Sequence, residues 1–235
     1  MILVILLFVG YLFGISVNYL SDLAYEKPDR CNYLLPAHWK SLPKSRLKRA
    51  IVVLIISGIS FPLLFLLMAT FYYLLISYLL VIFLLWVVVV DVEHQEIMFR
   101  TTIAGFVFCL LGGIYLHGLT SSLLGGGAAL IFQLIIFGFG LIYKKIKSLA
   151  GVIVEEEPFG FGDVTTSAIL GLLLGWPYAL IAVTLSGFLG GFYAWGVIIT
   201  NKIKGKSINN MTAPHTPFIA ASTVLAYAIF CLRVI

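Results

Sequence analysis

The run FYYLLISYLLVIFLLWVVVV at residues 71–90 decides the fold. It holds no charged residue until Asp91 closes it. A helix rises about 1.5 Å per residue, so this run is about 30 Å long, the thickness of a bilayer's hydrocarbon core. In that medium the backbone must satisfy its own hydrogen bonds, and for one continuous apolar segment the solution is a helix.

The same pattern recurs outward from this run. Stretches suited to spanning helices fall at about 2–21, 50–68, 71–90, 99–117, 121–143, 163–175, 178–200 and 215–234. The expected fold is all-α, a polytopic membrane protein of about eight transmembrane helices forming one integral membrane domain over residues 1–235. The sixth helix is the shortest, and Gly175-Trp176-Pro177 breaks it from the seventh. Composition agrees: 61% of residues are apolar, 11% are charged and the mean hydropathy is +1.09. Soluble domains carry about 25% charged residues, so several soluble domains are excluded for want of a polar surface. The net charge of +5 carries no expectation of nucleic-acid binding, because in such a chain the placement of Lys and Arg is what matters. The first apolar segment lacks a basic leader and a small-residue cleavage site, and is read as a retained helix.

The basic residues test this layout independently. Lys27, Arg30, Lys40, Lys44, Arg46, Lys48 and Arg49 fall in a polar stretch over residues 22–49, between the first two helices. Arg100 lies between the third and fourth helices, Lys144, Lys145 and Lys147 follow the fifth, and Lys202, Lys204 and Lys206 follow the seventh. Only Arg233 lies elsewhere. The positive-inside rule then places these four loops in the cytoplasm and both termini outside. Asp91 and Asp163 consequently fall on one side, the cytoplasmic one.

Ionisable groups at the edge of an apolar span are costly and are candidates for function by default. Asp22, Glu26, Asp29, Glu93, Glu96, Glu155, Glu156 and Glu157 read as loop residues, whereas Asp91 and Asp163 abut spans directly. Asp163 also suits an N-cap, where the helix dipole favours an anion. Asp91 at a helix end has no such structural excuse. Glu157-Pro158-Phe159-Gly160-Phe161-Gly162-Asp163 leads into the second acid, and its glycines suit a turn that a second backbone approaches closely. His94, a turn beyond Asp91, and His215 read as solvated side chains. Cys109 and Cys231 lie in apolar runs as packing residues, and Cys31 has no CxxC partner, so neither a disulfide framework nor a metal site is expected.

Taken together these stretches resemble the type IV prepilin leader peptidases, membrane aspartic proteases with a G-x-G-D motif. Asp91-Val92-Glu93-His94-Gln95-Glu96-Ile97 is similar to the family's first aspartate segment, and Gly160-Phe161-Gly162-Asp163 to the second. Ala213-Pro214-His215-Thr216-Pro217-Phe218-Ile219-Ala220 is similar to the start of its last helix, and Gly14-Ile15-Ser16-Val17-Asn18 echoes its first. The resemblance implies catalysis by Asp91 and Asp163, with Gly160, Phe161, Gly162 and Glu157 at the substrate. It implies cleavage of the short basic leader of type IV pilin-like precursors at the cytoplasmic face of the inner membrane, with no cofactor. Some family members also N-methylate the product with S-adenosylmethionine, and Asn18 is the first-helix residue to test for that. The chain departs from the pattern at Met98-Phe99, at Thr165 and in lacking paired cysteines. Two rival readings use the same residues: a non-catalytic protein of this fold that binds pilin helices, and a proton-coupled transporter, which would be expected to show internal repeats.

Overall fold

In the computed structural model the described residues are 1–24, 44–67, 71–94, 99–149, 160–203 and 215–234. They form eight helices: α1 Ile2–Ala24, α2 Lys44–Leu67, α3 Phe71–His94, α4 Phe99–His117, α5 Leu119–Leu149, α6 Phe161–Leu174, α7 Tyr178–Ile203 and α8 Thr216–Val234. Six are long and apolar enough to cross a membrane, and α4 and α6 are shorter apolar helices. The protein is an all-α polytopic membrane protein. Its chain divides into two compact units, Met1–Met98 and Phe99–Val234.

In the first unit α1, α2 and α3 pack on one another. Val17, Val53 and Val89, one from each helix, form a buried apolar cluster. Toward the other end of α2 the rings of Phe13 and Phe61 stack at 5.3 Å and those of Phe61 and Tyr78 at 4.1 Å. The Tyr78 hydroxyl donates to the Phe61 carbonyl at 2.9 Å, so the polar tip of the ring is satisfied within the stack.

In the second unit α6 is the central helix, packed against α4, α5, α7 and α8. Its sequence explains this. VTTSAILGLLL joins small and apolar residues, which let neighbouring helices approach on several sides. Ten residues of α6 from Asp163 to Leu174 are buried. At 14 residues α6 is about 21 Å long, short of the about 30 Å of a hydrocarbon core and, as its sequence implied, the shortest of the eight helices. It ends at Gly175, whose φ of +64° only glycine adopts freely and whose N–H closes on the Gly171 carbonyl at 3.0 Å. Trp176 N–H then donates to the Ser121 carbonyl at 3.1 Å, and Pro177 precedes α7.

The seam between α5 and α6 is a close one. A Cβ at Gly125 would lie 2.5 Å from the Gly171 carbonyl oxygen and 2.7 Å from the Gly175 Cα, both backbone atoms that cannot step aside. Close approach of small residues is how membrane helices gain packing contacts without a hydrophobic driving force. Gly125→Ala is therefore expected to cost about 1–3 kcal/mol by overpacking. Gly127→Ala, where a Cβ meets nothing within 4 Å, is expected to be neutral or stabilising by up to about 1 kcal/mol from helix propensity. Thermal unfolding of the two variants in detergent checks the contrast.

Candidate active site

The second acidic stretch is described from Gly160 onward, and Glu155, Glu156, Glu157, Pro158 and Phe159 lie outside the described residues. Gly160 is extended, with φ −82° and ψ 145°, and it is the residue that caps α6. Its carbonyl accepts from the Asp163 N–H at 3.1 Å. Asp163 is thus the third residue inside the helix, and the expectation that it is the N-cap is corrected. Gly160 has no side chain with which to cap, and Asp163 belongs to the first turn rather than to the cap position. The carboxylate still lies in the first turn, where the dipole favours its charge.

Asp163 is buried, with 9% of its surface exposed. The Thr216 hydroxyl, itself 1% exposed at the first position of α8, donates to Asp163 Oδ1 at a long 3.4 Å. This brings the glycine stretch and the Pro214-to-Ala220 stretch, 53 residues apart, onto one group. Phe161 is exposed beside Asp163, with its ring edge-on to Phe137 at 6.0 Å. Gly162 lies within the first turn of α6. Thr165, where the resembled family carries lysine, donates to the Gly162 carbonyl at 2.9 Å and stays local.

At Gly160 the structure departs from the sequence reading. Its φ is negative, and an added Cβ would meet Asp163 Oδ2 at an ordinary 3.8 Å. Neither backbone conformation nor internal packing demands glycine there. What a side chain would take away is open space beside the carboxylate.

His215 precedes Thr216. A Cβ at Gly190 would lie 2.8 Å from its ring, and its ring centroid is 6.0 Å from that of Phe218. Burial holds its pKa below the ordinary value of 6.5, so the reading of a solvated histidine is corrected. As pH falls through 6.5 the unfolded chain takes a proton that the folded one resists, and stability declines. Relative to His215→Gln, the wild type is expected to lose thermal stability in detergent between about pH 7 and 5, and the two to run parallel above it.

In the first unit α3 continues past Asp91 to His94, so Asp91 lies within the last turn and is 7% exposed. An anion near a helix C-terminus is disfavoured by the dipole, and burial raises that cost. Placement of this kind makes Asp91 a candidate for chemistry.

Two residues away stands a cluster that sequence reasoning missed. Arg49 of α2 donates from Nε to Asn18 Oδ1 at 3.1 Å, from Nη2 to Asp22 Oδ1 at 2.9 Å and from Nη1 to Glu93 Oε2 at 2.6 Å. Arg49 and Asp22 side chains are 8% and 9% exposed. The expectation that Asp22, Arg49 and Glu93 are loop residues is therefore corrected: each lies in a helix, and together they fasten α1, α2 and α3. The signal was present in their spacing. Asp22 is one helical turn beyond Asn18, so both face the same neighbour. Glu93 is paired with Arg49, and Glu96 lies outside the described residues. Asn18 is fully buried, with Oδ1 on Arg49 and Nδ2 donating to the Gly14 carbonyl at 3.0 Å. Both of its polar atoms are used within the helix bundle, so Asn18 does not fit a residue in contact with S-adenosylmethionine. Cys109 and Cys231 are buried packing residues, as expected, and Cys31 lies outside the described residues.

Known proteins were compared with the chain. The sequence pattern of the type IV leader peptidase family matches residues 78–195. The chain belongs to this family. The matched region runs from Tyr78 in α3 to Trp195 in α7 and contains both Asp91 and Asp163. No curated protein and no solved structure matches. Membership makes the protein leader-peptidase-like and an integral membrane protein, with prepilin-like proteins as the family's general substrates.

Proposed function

We propose that this protein is a membrane-embedded aspartic endopeptidase that removes the short basic leader from type IV prepilin-like precursors. In this reading the chain is one peptidase domain of the inner membrane, with both termini outside and cleavage at the cytoplasmic face. The observation that carries it is the Asp163 carboxylate: buried in the first turn of α6, touched by a hydroxyl from α8, and preceded by an extended glycine and an exposed phenylalanine.

Asp91 and Asp163 act as the two carboxylates. Two such acids at one reaction centre do not both ionise readily and share a proton, so the pair titrates as a unit. One takes a proton from the attacking water, while the other gives a hydrogen bond to the oxygen of the scissile carbonyl as charge develops there. Neither a metal nor a nucleophilic side chain takes part. Gly160 supplies the backbone edge along which an extended substrate segment lies, and Phe161 offers it an apolar surface.

Co-expression with type IV pilin-like precursors from the same genome, scored by leader removal, tests the function. Gly160→Ala tests the substrate edge. It is expected to leave thermal stability near the wild-type value, because its Cβ finds room, and to lower kcat/KM about tenfold through displacement of the substrate backbone. Unchanged kcat/KM would remove Gly160 from the site.

A further inference from the structure

α7 starts well packed and ends largely bare. Ala179, Ala182, Val183 and Ser186 are buried, and the next buried residue of the helix is Asn201. A helix lying against a bundle turns about one residue in three or four toward its neighbours. Residues 187–200, about four turns, bury none. Of the six helices long enough to cross a membrane, α7 is the least buried. The bare stretch reads GFLGGFYAWGVIIT, without a charge, and Phe188, Phe192 and Trp195 are each more than half exposed.

Contact with lipid accounts for an apolar exterior but not for the glycines. Gly190 has a reason inside the protein, since a Cβ there would lie 2.8 Å from the His215 ring. At Gly187 and Gly191 a Cβ would meet nothing within 4 Å. Glycine weakens a helix, and at these two positions no internal packing asks for it. Four residues apart, they share one face with Ala194 on the following turn, and Phe188, Phe192 and Trp195 run along one side of that face. The result is a shallow trough with an aromatic wall, open to the bilayer. Small residues so placed let a second helix pack closely in a membrane.

The trough adjoins the candidate site. The Asp163 carboxylate faces α8, whose Thr216 hydroxyl donates to it. The first turn of α8 rests in turn on α7: the Tyr193 and Phe218 rings are 5.3 Å apart, and Gly190 packs on His215 and Phe218. The bare half of α7 is therefore the half beside the start of α8. A pilin-like precursor cut at Asp163 keeps in the bilayer the apolar helix that follows its leader. That helix needs a face that is apolar, uncovered and next to the carboxylate, and residues 187–200 meet all three needs.

We propose that the trough of Gly187, Gly191 and Ala194, walled by Phe188, Phe192 and Trp195, docks the apolar helix of the prepilin-like precursor and so holds its scissile bond at Asp163. The identity of the occupant rests on the peptidase reading, and the surface itself on the second unit alone.

The test uses the full-length protein in cells that co-express a type IV pilin-like precursor from the same genome. In an Asp163→Asn background, where the precursor is expected to stay uncut, p-benzoylphenylalanine replaces Phe192 in one variant and Leu124, an exposed residue near the start of α5, in a control. Irradiation is expected to join the apolar helix of the precursor to the first variant and not to the control. An adduct with a second copy of this chain, an adduct with no protein, or equal yields from the two variants overturns the docking surface. In the cleavage assay Gly191→Leu is expected to raise KM about tenfold with kcat unchanged, the signature of lost uniform binding. Its melting temperature is expected not to fall, because the new Cβ finds open space. An unaltered KM also overturns the proposal. Should Leu at that position lower the melting temperature, Gly187→Leu carries the same KM criterion. Leader removal by the wild type decides the peptidase reading separately. Cleavage without the adduct keeps that reading and ends the docking surface, whereas the adduct without cleavage keeps the docking surface and ends the reading.

Discussion

Asp163→Asn is expected to lower leader removal by about a thousandfold, within the range that a positioned acid or base contributes. The replacement is close to isosteric, and its amide oxygen still accepts the Thr216 hydrogen bond, so the start of α6 and the packing of α8 are retained. What is lost is the ability to exchange a proton with the attacking water. Asp91→Asn is expected to lose a similar factor, and the double variant to be little worse than either, because groups that act as one unit are not additive. The measurement is the cleaved fraction of a co-expressed precursor over time, with melting temperature as the control on folding. Full cleavage by either single variant would end the aspartic mechanism. Unimpaired binding of an uncut precursor by the wild type would favour the rival, a pilin-helix binder. Thr216→Val, which removes a weak hydrogen bond and keeps the shape, is expected to cost less than either.

Arg49→Met is expected to destabilise the first unit by about 3–5 kcal/mol, the scale for removing one partner of a buried ion pair. Arg49 satisfies Asn18, Asp22 and Glu93 at once. Without it two carboxylates are left facing each other at the junction of three helices, and Asp22 has almost no water to turn to. Thermal unfolding in detergent measures the loss. Adding Asp22→Asn and Glu93→Gln to Arg49→Met is expected to recover much of it, since the buried charge that made the deletion costly is then gone. A single variant as stable as the wild type would show that the cluster is solvated. Because α3 carries both Glu93 and Asp91, the single variant is also expected to lose turnover, and the triple variant to separate that loss from misfolding.

The helices were legible because the signal for a membrane span is long and local. The fourth helix was placed at its observed bounds, and the third was missed only in its last turn, where Glu93 and His94 look like loop residues. The reason is physical: hydropathy reports transfer of side chains to lipid, whereas a helix continues wherever its hydrogen bonds and caps allow. The same blindness hid Asp22 and Arg49. A charge reads as solvent-facing until a partner on another helix is known. At Asp163 the reading erred in the cap, because Gly160, which has no side chain, holds that position. At Gly160 the reading offered both a turn conformation and room for a second backbone, and with φ −82° only the second asks for glycine.

The order of residues alone determined that this is a helical membrane protein and which two acids stand out at its spans, because both follow from the cost of placing each side chain in hydrocarbon. Only tertiary structure decided that Thr216 touches Asp163 and that Arg49 joins three helices. Hydrogen bonds and voids belong to pairs of surfaces, and no single stretch of chain carries both sides.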